Sequence, residues 1–235
     1  AHNGAITWRH LLQQTSEWEG ELFGKSDVLD RYRSLATEGR GLRKGQRRPL
    51  QPPGGFWEYN DVRVNRLSLA LLRLFRRPLP EVFAERIMRR IGGSSDWAWH
   101  GYRTSMVEID GRRIESVSGG SHWGGGVEMH AEDQARIGQL VLNRGVWDGA
   151  RVLPERWVEE SLAPCPIKPG YGFLWWLNGS GDQPSASRES FFAVGAGGNQ
   201  IWIDPAHGIV AVLRWVDPAA IDGFIARVMA ALRAG

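Results

Sequence analysis

Apolar residues recur at helical spacing in several segments of the first two-thirds of this chain and at strand spacing in its last third, an order that restricts the fold strongly. Ile6 to Gln14 puts Ile6, Trp8, Leu11 and Leu12 in a short helix, with Thr7 as its N-cap. Asp61 to Phe75 predicts a longer helix. Its apolar face is Val62, Leu67, Leu69, Ala70, Leu71 and Leu74, and its wet face Arg63, Arg66 and Arg73. A further helix is expected over Pro80 to Ile91, opening on Pro and Glu and stopping at Gly92-Gly93. Ala131 to Arg144 and Pro154 to Ala163 complete the helical set.

The period then changes. Tyr171 to Leu177, Gln200 to Asp204 and Ile209 to Trp215 are rich in β-branched and aromatic residues, and Asp204-Pro205 to Gly208 supplies a hairpin turn between the last two. Ala219 to Arg233 closes the chain as an amphipathic helix on that sheet. Helices followed by antiparallel strands and a terminal helix indicate an α+β fold and not a doubly wound parallel sheet. The expected division is a mainly helical region with long loops over 1–165, then antiparallel strands and the C-terminal helix over 166–235.

At 235 residues and 42% hydrophobic content the chain can bury a sizeable core. Its 29 basic and 26 acidic residues leave a net charge of +3, which by itself implies no nucleic-acid partner. Cys165 is the single cysteine, which excludes an intramolecular disulfide and a cysteine-based zinc site. The 6 His residues show no metal-ligand spacing, so neither metal nor cofactor is expected. No apolar run approaches the roughly 18 residues needed to span a bilayer, and no signal-like segment is visible. The chain opens abruptly, with Ala1 to Ile6 leading straight into a helix and no initiator Met, so residues upstream are expected.

From Ser16 to Phe56 the periodicity dissolves into a long polar loop holding Arg40, Arg43, Lys44, Arg47 and Arg48. Such a cluster can bind anions or simply be solvated, and the lack of interleaved aromatic platforms favours a solvated loop. Residues 97 to 126 read as loop with short strands. The 12 Trp and 30 Gly residues interleave from Trp97 to Gly126 and from Trp175 to Trp202. That pattern suits either the wall of a substrate cleft or a Trp-rich core with ordinary turns, and Tyr171, Trp175 and Trp176 are expected in the sheet core.

Four stretches, taken in order, resemble the β-lactamase-like serine hydrolases, a superfamily that includes class C β-lactamases, D-amino-acid peptidases and family VIII-type carboxylesterases. They are Ile6-Thr7-Trp8-Arg9-His10-Leu11-Leu12 with Thr15-Ser16, and Trp57-Glu58-Tyr59-Asn60-Asp61-Val62, where the family has Tyr-x-Asn opening a helix. Then come Gly124-Gly125-Gly126 with Asp133, Ala135, Gly145 and Val152-Leu153-Pro154, and lastly Ala193-Val194-Gly195-Ala196-Gly197-Gly198 with Ile201-Trp202-Ile203-Asp204-Pro205. The last corresponds to the family's Lys-Thr-Gly or His-x-Gly strand.

The resemblance implies acyl transfer, which needs a nucleophile, a base and donors aimed at the developing oxyanion. The family's nucleophile sits in Ser-x-x-Lys, and no serine in this chain has Lys three positions later. Tyr59 is then the implied general base. A phenol with an ordinary pKa near 10 needs a nearby cation to act as one. Asp61 stands where the family has Asn; an ionised carboxylate only accepts hydrogen bonds, so it either pairs with the absent Lys or caps the helix. Ala193 replaces the Lys of Lys-Thr-Gly, which points away from β-lactams towards neutral or differently charged esters and amides. The N–H of Ala196 is the implied oxyanion donor, and Gly195, Gly197 and Gly198 would let a substrate approach closely, unless the stretch is only a turn. His122 and Trp123 are implied pocket-lining residues.

Two readings of function follow from these residues. In the first the chain is most of a serine esterase or amidase whose nucleophile lies upstream, acting on a small-molecule ester or amide and inactive by itself. In the second it is a catalytically dead member of the fold that binds a ligand or partner. Without the upstream segment an apolar face and a sheet edge would be bare, so either that segment or a partner is expected to cover them. Nucleic-acid binding and a membrane span are not expected.

Overall fold

Asn60 starts the helix around which the first part of the structure is built. Its backbone is extended (φ −143°, ψ 107°), and its side-chain oxygen accepts from the N–H groups of Val62 and Arg63 at 3.1 and 3.2 Å. The computed structural model describes residues 2–32, 43–120 and 125–234 and divides into two units, Ala1–Arg86 with Asp96–Glu128, and Ile87–Ser95 with Met129–Gly235.

In the first unit, α1 (Trp8–Leu12) is capped by Thr7 as expected. The helix started by Asn60, α2 (Asp61–Phe75), ends at Arg76, whose left-handed conformation returns its N–H to Leu72 O. Val62, Leu69 and Leu72 pack with Leu22, Leu79, Ile114 and Val117. The phase of this helix differs from the expected one in two places. Leu72, fully buried, is central to the core, while Leu74 is 63% exposed; and Arg63, expected on the wet face, is fully buried. The described part of the Ser16–Phe56 stretch contains a small hairpin of β1 (Glu21–Leu22) and β2 (Lys25–Ser26) and a 3-10 turn at Asp27–Asp30.

The single helix expected over Pro80 to Ile91 is two pieces, α3 (Leu79–Arg86) and a 3-10 turn Met88–Ile91. The chain passes from one unit to the other at Ile87, whose φ of −123° and ψ of −68° break the helix.

Residues 97 to 126 depart most from expectation. The described ones form a 13-residue strand, β3 (Trp97–Ile109), hairpinned to β4 (Arg112–Val117), with β5 (Gly126–Met129) on the other side of β3. Asp110 and Gly111, both left-handed at φ 55° and 73°, make the two-residue turn that pairs Ile109 with Arg112 and Val107 with Ile114. That Asp-Gly between apolar alternations is a strong hairpin signal, masked by the density of Trp and Gly around it.

The second unit is an antiparallel sheet covered on both faces. Its order is β11-β10-β9-β8, from β8 (Trp176–Leu177), β9 (Phe191–Gly195), β10 (Asn199–Asp204) and β11 (Ile209–Leu213). One face packs Phe192, Trp202 and Leu213 against Ile221, Ile225 and Met229 of α6 (Ile221–Ala234). The other packs Phe191 and Ile203 against Val141 of α4 (Ala131–Leu142) and Val158 of α5 (Glu155–Leu162). A Cβ on Gly138 would stand 2.6 Å from Val210, so its absence lets α4 lie close to the sheet. A further hairpin joins β6 (Val146–Trp147) to β7 (Ala150–Arg151).

The strand expected over Tyr171 to Leu177 reduces to β8, because Leu174 turns the chain at φ 60°. Tyr171 is held to Trp176 by one bridge and an edge-to-face ring contact at 5.0 Å. The architecture is α+β, as the order of periodicities indicated.

Candidate active site

Tyr59 sits in the most tightly held stretch of the first unit. It is half-buried, whereas Glu58, Asn60 and Asp61 on either side of it are buried. Asn60 is tied down by more than its cap: its N–H donates to Gln14 Oε1 at 3.2 Å and its amide nitrogen to the Asp27 carbonyl at 2.8 Å. Asp61 is the first helical residue and not the cap. Asn60 and Asp61 are both good capping types, and the extended backbone at Asn60 decides between them. The Asp61 N–H donates to Asp30 Oδ2 at 3.0 Å, and its side chain packs against Gly120, where a Cβ would collide with it.

Glu58, next to Tyr59 in the chain, belongs to a buried ionic cluster. Glu17 accepts from Arg48 at 2.6 and 2.7 Å, from Arg63 at 2.9 Å and from the Gln51 N–H at 2.9 Å. Glu58 accepts from the Tyr32 N–H at 2.7 Å and lies 3.2 Å from both Arg48 and Arg63. Asp27 pairs with Arg31 at 2.9 Å, and Lys44 reaches Asp30 at 3.0 Å.

The two glutamates differ in proton affinity. Burial opposes the charge on Glu17, but the Arg48 hydrogen bonds, the Arg63 charge and the Gln51 N–H outweigh it and hold its carboxyl below the ordinary value. Burial dominates at Glu58 and pushes its carboxyl up, with the Tyr32 N–H and the two arginines offsetting only part. The basic cluster is therefore no uniform solvated patch. The Arg48 side chain is 7% exposed and spent on Glu17 and Glu58, whereas Arg43, Lys44 and Arg47 are exposed as a solvated loop would have them, and Arg40 lies outside the described residues.

In the second unit Gly195 ends β9, and Ala196 to Gly198 form the turn into β10. Strand β8 pairs only with Phe191 and Phe192, so among the described residues no strand covers the edge of β9 from Ala193 to Gly195 opposite β10. Val194, Gly195 and Ala196 are exposed. The Ala196 carbonyl accepts from Asn199 Nδ2 at 2.6 Å. Gly197 and Gly198 are both left-handed, at φ 77° and 71°. A Cβ on Gly197 would run into the Trp215 ring, and one on Gly198 into the Val216 carbonyl. Their glycine character is thus a requirement of the turn itself.

The structure places the expected residues in two groups, Tyr59 with Asp61 in the first unit and Gly195 to Gly198 in the second. His122 and Trp123 lie outside the described residues. Among the described residues no group of three or more His, Cys, Asp or Glu is arranged to hold a metal ion, and no helix is long and apolar enough to cross a membrane. Sequence reading missed Glu17, Glu58, Asn199 and Trp215. Glu17 meets its arginines across 31 and 46 residues of chain, a separation that no local pattern encodes.

The β-lactamase family model matches residues 1–215. Over 109 residues the chain is 31% identical to the 6-aminohexanoate-dimer hydrolase of Paenarthrobacter ureafaciens, a match covering 40% of this chain and 26% of that protein. Among solved structures it resembles the simvastatin synthase LovD from Aspergillus terreus, with a TM-score of 0.63 at 18% identity over 98% of this chain and 69% of that one. It also resembles a family VIII carboxylesterase, with a TM-score of 0.62 at 14% identity over 98% of this chain and 72% of that one. At such identities the likeness is one of fold. The chain spans 61% of the length of a putative 6-aminohexanoate-dimer hydrolase from Bacillus anthracis and 74% of that of a β-lactamase from Mycobacterium bovis, two solved structures that it also resembles.

Proposed function

The chain belongs to the β-lactamase family, and we propose that it carries the base and one oxyanion donor of a serine hydrolase that acts on esters or amides through an acyl-enzyme. In this reaction a serine hydroxyl attacks the substrate carbonyl, and the Tyr59 phenolate takes its proton and passes it to the departing alcohol or amine. The Ala196 N–H donates to the oxyanion, and water then releases the acyl group. No serine in this sequence belongs to a Ser-x-x-Lys motif, so the nucleophile and the cation that favours the Tyr59 phenolate are assigned to residues ahead of Ala1. Ala193 in place of a lysine favours substrates without an anionic group at that position.

One observation supports this reading above the others: the half-exposed Tyr59 is the single accessible side chain in the run Glu58 to Asp61, and the residues on both sides of it are held by buried or partly buried hydrogen bonds. A rigid mount for one reactive side chain is what a catalytic base requires. The absent motif gives the second reading its footing, a binding protein that keeps the fold without the nucleophile.

Labelling the whole protein with a fluorophosphonate, followed by peptide mass spectrometry, separates the two. The hydrolase reading expects a labelled serine in an upstream Ser-x-x-Lys peptide, and a Tyr59→Phe variant whose labelling is slower by about 10²- to 10⁴-fold with its unfolding midpoint unchanged. A coding sequence without that motif, or Tyr59→Phe labelling at the wild-type rate, refutes it.

A further inference from the structure

Trp215 is the most exposed large apolar side chain among the described residues, at 74%, and it is held in a conformation that disfavours it. Its φ of 55° puts a bulky residue in the left-handed region, which is strained and persists only where the surroundings enforce it. Here they do. The Trp215 N–H and the Arg214 Nε both donate to Asn199 Oδ1, at 3.3 and 3.2 Å, while Asn199 Nδ2 donates to the Ala196 carbonyl at 2.6 Å. The Val216 N–H donates to the Gly198 carbonyl at 3.4 Å, and Arg214 Nη1 to the Met129 carbonyl at 3.2 Å.

One amide side chain, Asn199, therefore fixes the Ala196 turn and the Trp215 backbone together. Glycine at 197 lets the indole lie against the turn, because any side chain there would displace the ring. In this chain the indole stands clear of the packed core, beside the edge strand β11, in a strained backbone conformation that the Asn199 bridge and the glycine at 197 hold in place. From this geometry we infer that Trp215 is a specificity-determining residue, a fixed apolar wall beside the Ala196 turn that receives an aromatic or extended aliphatic group of a neutral ester or amide.

This inference rests on the reading of the Ala196 N–H as a substrate contact. It adds that the substrate carries a sizeable apolar group near the scissile bond, and that an indole supplies binding energy where Ala193 supplies no charge. Trp215 touches the substrate but moves no proton, so its loss weakens binding and leaves the pH dependence alone.

The test uses the whole protein labelled with 15N and 5-fluorotryptophan, titrated with acetanilide and, separately, with acetamide. The Trp215 fluorine signal is assigned by its loss in Trp215→Phe. With acetanilide, the Ala196 amide and the Trp215 fluorine signals shift together and saturate. Acetamide binds about tenfold more weakly, and Trp215→Ala lowers acetanilide affinity by about tenfold while Trp215→Phe stays close to wild type. If the Ala196 amide shifts and the Trp215 signal does not, or Trp215→Ala binds acetanilide as wild type does, the assignment of Trp215 is overturned and the reading of the turn stands. Movement of neither signal overturns both. Movement of Trp215 without Ala196 overturns the link between them and points to a separate apolar contact, such as one with another protein segment.

Discussion

Glu17 and Glu58 face the same two arginines, yet their removal should have unequal consequences. Glu17→Gln keeps the volume but replaces one acceptor oxygen with an NH2 donor. Both Glu17 oxygens are used, each by a guanidinium, at 2.6 to 2.9 Å, so in either orientation of the amide a donor is turned against a donor. Breaking a buried ion pair from one side costs about 3–5 kcal/mol. In Glu58→Gln the amide oxygen can keep the bond from the Tyr32 N–H at 2.7 Å; its NH2 then faces Arg48 and Arg63, but it replaces an oxygen whose two contacts are longer, at 3.2 Å, and whose charge burial already opposes. That exchange costs about 1–2 kcal/mol.

Acid separates the two glutamates as well. The Glu17 carboxyl is held below its ordinary value of 4.5, so its stabilisation is present above that pH and is lost as pH falls through the lower folded value. Glu58 has the opposite sign, favouring the folded state below 4.5 and withdrawing that contribution as pH rises through its higher folded value. Native-state hydrogen exchange of the α2 amides reads this unit by itself. At pH 7 Glu17→Gln should lower protection by roughly 10²-fold or more and flatten the acid loss below 4.5, with Glu58→Gln about tenfold. Equal losses in the two variants, or a Glu17→Gln variant that is barely affected, would refute the reasoning.

Leu72→Ala should cost about 2–5 kcal/mol in urea unfolding, whereas Leu74→Ala, on the same helix but 63% exposed, should stay within about 0.5 kcal/mol. Asn60→Ala should cost about 2 kcal/mol, the upper end for a lost N-cap, because the Asp27 carbonyl also loses its donor; reduced α2 protection in hydrogen exchange checks it. Gly208→Ala, at φ 65° with nothing within 4 Å of the added methyl group, should cost only about 1–2 kcal/mol of strain. Gly198→Ala, which adds a collision with the Val216 carbonyl to the same strain, should lower the thermal midpoint distinctly further.

Trp215 and Glu17 illustrate two ways in which a fold can commit residues that composition would place elsewhere. A tryptophan is ordinarily covered and a glutamate ordinarily solvated. Here the indole is held out by the Asn199 bridge, and the carboxylate is drawn in by two arginines. In one unit the enforcing contacts include the Ala196 carbonyl, and in the other they include Glu58, the residue before Tyr59.

The amino-acid sequence alone determined the elements whose causes are local. The span of α2, the hairpin turn after Asp204, the cap at Thr7 and the α+β order follow from spacing, capping types and turn residues within a few positions of one another. The Asp110-Gly111 hairpin was equally local and was missed only because tryptophan and glycine crowd that stretch. Tertiary structure alone decided which leucine of α2 faces the core, that Arg63 is buried and the Arg48 side chain largely covered, that Asn60 rather than Asp61 caps the helix, and that Trp215 leans on Gly197. These outcomes depend on partners tens of residues away. Charge and hydrophobicity along a chain state what a side chain prefers in water; only the partners that the fold brings to it decide whether that preference is met or overridden.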